Sequence, residues 1–152
     1  MSMTPASPIL FGDLLAWARR NWVDEMARRL GRLGHQDYRR SDALTLRCLR
    51  HGPTPLSELS GALGVTRQAA RKVIEGLVAR GYVRVERDRN DGRRLNVELT
   101  ASGEDYASDL IDVIQAINED LDGRIDPYDL VVAKAVLRVV NTLYGTDGKN
   151  RS

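Results

Sequence analysis

The sequence predicts a mainly α-helical chain that carries one small β-hairpin, an α+β class. Three observations predict it. Apolar residues recur at spacings of three, four or seven through most of the 152 residues, the period of a helix with one buried face. That period changes to two in only two short runs, YVRVER and RLNVEL, which read as strands. Between the periodic stretches stand glycines, prolines and small polar residues placed as helix caps and stops.

The first helix is expected over 8–33. Ser7 and Pro8 form a cap followed by proline at the first helical position, and Leu15, Trp22, Met26, Leu30 and Leu33 mark one face before Gly34. Ser41 or Asp42 starts a shorter helix with Ala43, Leu46 and Leu49 on one side and Gly52 as its stop. Pro53 and Pro55 break the chain, and Leu56 is expected to make a single strand pairing. Ser57 then caps a third helix carrying Leu59 and Leu63, which Gly64 ends. Thr66 caps a fourth helix running to about Arg80, with Gly81 beyond it.

The two alternating runs follow. Val83 and Val85 share one face, as do Leu95, Val97 and Leu99, and the polar RDRNDG loop between the runs makes this a hairpin with a long tip. Thr100 caps a fifth helix with Ala107, Leu110, Ile114, Ile117 and Leu121 on one face, and Gly123 breaks it. Asp126-Pro127 opens a sixth, with Leu130, Ala133, Leu137, Val140 and Tyr144 aligned before Gly145. Two short helices, a glycine turn and a hairpin in that order make a winged helix-turn-helix. The expected organisation is an N-terminal dimerisation helix in 1–36, the winged unit in 37–100, C-terminal dimerisation helices in 101–145 and a disordered tail in 146–152. The apolar faces of the flanking helices come from opposite ends of the chain, and pairing with a second copy would bury them.

Charge sharpens the expectation. The net charge of +2 hides a stretch, 66–94, with nine basic residues against four acidic ones, while 100–145 carries nine acids against three bases. A polyanion is therefore expected at the centre of the chain and not at its C-terminal part. On the fourth helix Ala70, Val73, Ile74 and Leu77 fall on one side with Thr66, and Arg67, Gln68, Arg71, Lys72 and Glu75 on the other. A helix that enters the major groove reads bases with its N-terminal residues. Arg pairs with guanine and Gln with adenine through two hydrogen bonds each, and Lys72 and the Thr66 hydroxyl are suited to phosphates. The hairpin tip places Arg87, Arg89, Arg93 and Arg94 within eight residues, a concentration suited to the negative potential of a narrow minor groove. Asp91, two residues before Arg93, either holds that guanidinium across an αL-capable Gly92 or makes an ordinary Asx turn; the two roles are compatible.

The stretch from Ala43 to Gly103 resembles the MarR family of bacterial transcriptional regulators. The resemblance is carried by Asp91-Gly92-Arg93-Arg94, similar to that family's D-x-R wing signature, and by Leu99-Thr100-Ala101-Ser102-Gly103, similar to its LTxxG helix start. It covers about 38–104 by motif and the rest by helix order. Arg89 departs from it, since many members have proline there. The resemblance implies an intertwined homodimer that binds double-stranded DNA at a pseudo-palindromic operator. It sets Thr66, Arg67, Gln68, Arg71 and Lys72 toward the major groove and Arg93 toward the minor groove, with Arg89, Asp91 and Arg94 in the same wing. It also implies an aromatic anion as effector, for which Trp17, Trp22, Tyr38, Arg19 and Arg20 are conceivable lining.

Other classes find little support. The two histidines, His35 and His51, and the single Cys48 have no metal-ligand spacing, and there is no phosphate loop or GxGxxG, so neither an enzyme nor a cofactor is expected. Cys48 reads as a buried structural thiol, with oxidation sensing as the alternative. One cysteine fits a reducing cytoplasm. No apolar run reaches the roughly 18 residues of a membrane helix, and the N-terminus lacks a basic start before its apolar stretch. The expected function is a cytoplasmic, dimeric, sequence-specific repressor. The alternative is a winged helix used as a protein-interaction module.

Overall fold

The computed structural model describes residues 8–145. The Ser7 cap and the tail at 146–152 lie outside the described residues. The chain divides into two units, residues 1–40 and 41–152, each described by itself.

Among the described residues the first unit contains one helix, α1 (Phe11–Arg32). It starts three residues later than the sequence suggests. Leu10 is its N-cap, and the Asp13 carboxylate accepts the Leu10 N–H at 3.0 Å, satisfying a free amide of the first turn. Met26 and Leu30 are buried, whereas Phe11, Leu14 and Trp17 stay exposed. Glu25 pairs with Arg28 and Arg29 one turn on. Their hydrogen bonds, Arg28 first, hold its carboxyl below the usual carboxylate range.

The second unit contains α2 (Asp42–Leu49), β1 (Thr54–Pro55), α3 (Leu56–Leu63), α4 (Arg67–Ala79), β2 (Val83–Arg87), β3 (Leu95–Leu99), α5 (Ala101–Asp122) and α6 (Pro127–Tyr144). The sheet order is β1-β3-β2, antiparallel throughout. Two expectations need correction here. The lone strand pairing falls on Thr54 and Pro55, opposite Val97 and Asn96, and not on Leu56, which is already the first residue of α3. Ser57 therefore stands inside α3, whose N-cap is Pro55. Proline fixes φ ahead of the helix, and Pro55 has no side-chain oxygen, so α3 starts without a side-chain cap.

The turn between α3 and α4 depends on Gly64. Its φ of +63° lies in the left-handed region, where a side chain is disfavoured, and it lets the Val65 N–H return to the Ser60 carbonyl. Thr66 then caps α4 by accepting the Ala69 N–H at 3.1 Å. The inner face of α4 is the one its period marks: Ala70, Ile74 and Leu77 are buried. They are buried together with Leu46 and Leu49 of α2, Leu59 of α3 and Val97 of β3, and α4 packs against α3 and β2. Each of the leucine, isoleucine and valine side chains among them contributes roughly 1.5–3 kcal/mol on burial.

The start of α5 explains the spacing of Thr100 and Gly103. The Thr100 hydroxyl donates to the Gly81 carbonyl at 2.6 Å and accepts the Gly103 N–H at 3.1 Å. Gly103 packs so closely that a Cβ there would lie 1.9 Å from the Tyr82 carbonyl oxygen. One motif thus fixes α5 to the exit of α4 and the root of β2. Asp126 caps α6 through the Tyr128 N–H. No residue of α6 is buried, and Val131, Val139 and Leu143 are more than half exposed.

A buried polar cluster joins three helices. Asp42 is fully buried at the start of α2 and receives both guanidinium nitrogens of Arg80, each at 2.8 Å. The Tyr106 hydroxyl of α5 donates to the same carboxylate at 2.9 Å. Burial, with the neighbouring Asp42 charge, pushes the Tyr106 hydroxyl far above the ordinary tyrosine range, so it stays a donor. The Tyr82 ring stacks on Tyr106 with centroids 4.5 Å apart, and the Arg80 guanidinium lies over Tyr82 at 5.5 Å.

Candidate nucleic-acid interface

The N-terminal half of α4 carries its polar residues outward because the opposite side is committed to the core. Arg67, Gln68, Arg71 and Lys72 are all exposed. Among the described residues, none of these four side chains has a hydrogen bond or ion pair. Thr66 is exposed too, but its oxygen accepts the capping bond; the hydroxyl proton remains free to donate.

The hairpin brings a second set of cations to the same place. Arg67 and Arg71 of α4, Arg93 and Arg94 of the wing, and Ser57 of α3 line one cleft of about 290 Å³, with Leu56 and Leu95 as its apolar wall. These residues span 40 positions of sequence, and only the return of β3 beside α3 brings them together. Arg94 is partly committed, since its guanidinium contacts Glu58 of α3 at 3.2 Å. The Arg93 side chain has no partner among the described residues. Four guanidinium groups with one nearby carboxylate form a strong local positive potential, fitted to a polyanion.

Arg89 is not part of this set. It lines a separate groove of about 530 Å³ with Pro53, Arg84 and Glu98. Arg84 itself is paired with Glu98 and Glu86, and the Glu98 hydrogen bond raises its pKa above the ordinary arginine value.

The wing tip corrects another expectation. The Asp91 carboxylate does not hold the Arg93 guanidinium. It accepts the Arg93 backbone N–H at 3.0 Å, the Asx turn that was the other reading, and Gly92 is not left-handed. Asp88 was not singled out in the sequence, yet it organises the tip. One of its oxygens accepts the N–H of Asn90 at 2.8 Å and of Asp91 at 3.2 Å, and the other accepts the Asn96 amide at 3.1 Å. These bonds, the Asn90 N–H first, hold its carboxyl below the usual range. Aspartate two residues before a polar loop residue is the sequence signal that marks such a turn.

Beside the cleft, Ile74, Val78, Val85 and Leu95 form an apolar groove of about 410 Å³. The expected buried face of the hairpin is thus closed only at its root, where Val83, Val97 and Leu99 are covered. Elsewhere, Arg47, Arg50 and His51 of the α2 end face Ile111, Ile114 and Gln115 of α5 across about 550 Å³. Cys48 is a half-buried free thiol. Among the described residues no group of three His, Cys, Asp or Glu could hold a metal ion, and no helix is long and apolar enough to cross a membrane.

Residues 37–94 match the model of the MarR family. Over 96 residues the chain is 34% identical to the HTH-type transcriptional repressor NicR of Pseudomonas putida, a match covering 62% of this chain and 61% of NicR. The fold is similar to that of BpsR from Bordetella bronchiseptica, a structure described for regulation of DNA binding by 6-hydroxynicotinic acid. There the TM-score is 0.70 at 24% identity, covering 89% of this chain and 98% of that one. It is equally similar to a mutant E. coli MarR complexed with operator DNA, with a TM-score of 0.70 at 21% identity, covering 85% and 91%.

Proposed function

We propose that this chain is a MarR-family regulator, a homodimeric, sequence-specific DNA-binding repressor acting at a pseudo-palindromic operator in the cytoplasm. One observation carries the reading: Arg67 and Arg71 of α4 converge with Arg93 and Arg94 of the wing around one cleft. In a duplex, the strand backbone lies between the major and minor grooves. With α4 in the first and the Arg93 loop in the second, that cleft receives the intervening phosphates. Gln68 and the outer face of α4 then meet base edges, while Lys72 and the Thr66 hydroxyl meet phosphates. Asp91 supports Arg93 through its backbone. Arg89, on the other groove of the wing, reaches phosphate farther along the strand.

Dimerisation is supported by the exposed apolar residues of α6 and α1, in the segments 1–36 and 101–145. Two copies present two α4 helices, which suits half-sites about 34 Å apart. Catalysis has no part in the proposal. BpsR, whose DNA binding is regulated by 6-hydroxynicotinic acid, supports a small aromatic acid as effector. The cleft lined by Arg47, Arg50, His51 and Ile114 offers it cations beside an apolar wall.

The test is selection of binding sequences from a random duplex pool at about 150 mM salt, fixed because phosphate contacts make affinity salt-dependent. The expected result is a two-fold symmetric motif. Gln68→Ala should relax it by about 1–3 kcal/mol at the contacted pair, and Arg71→Ala should weaken binding to all sequences alike. Arg93→Ala should lower affinity and reduce the salt slope by about one. No enriched motif, with variants and wild type alike, overturns the proposal in favour of a protein-interaction module.

A further inference from the structure

The wing tip must hold Arg93 in place before DNA arrives, because a floppy arginine loop loses conformational entropy on binding. The restriction comes from hydrogen bonds within the loop. Asp88 closes the loop on its own downstream amides and on Asn96 of β3. Its backbone completes the closure, with the Asp88 N–H bonded to the Arg94 carbonyl and the Arg94 N–H to the Asp91 carbonyl. Arg87 adds a bond from its guanidinium to the Gly92 carbonyl at 2.9 Å.

We propose that Asp88 is the positioning residue of the wing, whose carboxylate presets the 88–94 loop and so delivers Arg93 to the minor groove. The inference rests on the DNA-binding reading above. It makes a counterintuitive statement about charge: an acidic residue beside a polyanion strengthens the complex, because the geometry it imposes outweighs the repulsion it adds.

Two substitutions separate geometry from charge. Asp88→Ala removes both. Asp88→Asn removes the charge but keeps an oxygen for the Asn90 and Asp91 amides. Its new amide group then faces Asn96, whose Oδ1 is buried without a partner. Turning the Asn96 amide over brings that oxygen to the new donor and restores the third bond.

The probe is the duplex selected by the wild-type protein, with affinities measured at one fixed salt concentration. Asp88→Ala should weaken binding roughly five- to tenfold, each tenfold being about 1.4 kcal/mol, with Asp88→Asn within about twofold of wild type. In an Arg93→Ala background, Asp88→Ala should cost nothing further, since it acts through Arg93. Equal or tighter binding by both variants overturns the proposal, because that is what charge removal alone predicts. So does an undiminished effect in the Arg93→Ala background. Thermal unfolding of each variant confirms that the tip alone has changed. Amide hydrogen exchange at Asn90 and Asp91 reads the loop without DNA: protection in wild type and Asp88→Asn, lost in Asp88→Ala. If no duplex is selected, the regulator reading fails, whereas unaltered amide protection in Asp88→Ala refutes the brace itself.

Discussion

Replacing Asp42 by alanine tests how the recognition helix is anchored. Arg80 closes the C-terminus of α4, and its guanidinium forks onto a carboxylate with no solvent exposure, while the Arg80 side chain as a whole is 11% exposed. Removing the carboxylate strands a nearly buried cation. Breaking one side of a buried pair costs about 3–5 kcal/mol. Arg80 keeps its approach to the Tyr82 ring and a bond to the Gly76 carbonyl, which places its share near the lower end. The Tyr106 hydroxyl loses its acceptor in a fully buried site, adding about 1 kcal/mol. The sum, about 4 kcal/mol, is a large part of the roughly 5–15 kcal/mol that holds a domain folded. It corresponds to a fall in melting temperature of roughly 8–16 °C for a chain of this size.

Urea unfolding at one fixed protein concentration is the assay, since a dimer's apparent stability depends on concentration. Tyr106→Phe serves as the partial variant: it removes one donor and leaves the ion pair, and should cost about 1 kcal/mol. A loss below about 1 kcal/mol for Asp42→Ala would refute the reasoning. A Tyr106→Phe loss equal to that of Asp42→Ala would refute it as well, because the ion pair would then contribute nothing.

Gly103→Ala places a methyl against the Tyr82 carbonyl, which belongs to rigid backbone, and overpacking of this kind costs about 1–3 kcal/mol; urea unfolding should show it, and a neutral result would mean α5 slides freely at its start. The Asp88 carboxyl, held down by its amide bonds, should titrate below the ordinary aspartate value of about 3.9. A depressed folded-state pKa means the loop's contribution is complete above the unfolded value and is lost only as pH falls through the lower folded one, so the carbon-13 shift of its carboxyl should stay constant from neutrality down to about pH 5. Leu143→Asp puts a charge on the exposed apolar side of α6 and should convert a dimer to monomer in sedimentation, leaving the helical circular dichroism of the winged unit in place.

What the sequence made legible was what is local. Thr66, Thr100 and Asp126 were readable as caps because each bonds an amide within three residues of itself. The buried side of α4 was readable because a period of 3.6 leaves one choice of face. Interactions that depend on distant partners were not. Asp42 meets Arg80 across 38 residues and Tyr106 across 64, and in sequence Asp42 is only a polar residue at a helix start. The register of β1 is set by β3, more than 40 residues away, so local pattern put the pairing one residue late.

The wing shows why composition alone misassigns a site. Arg87, Arg89, Arg93 and Arg94 look equivalent as four cations in one loop. Strand alternation assigns faces only while the chain stays extended, and it stops at Arg87, where β2 ends. Beyond that point the loop's hydrogen bonds decide direction. The Asp88 and Asp91 turns reverse the chain so that Arg93 and Arg94 return beside α4, while Arg89 is left on the other groove. Arg87 is spent on the Gly92 carbonyl and Arg94 on Glu58. Of four similar residues, one therefore reaches the cleft with its guanidinium uncommitted, and it is the two aspartates, the residues a polyanion should repel, that bring it there.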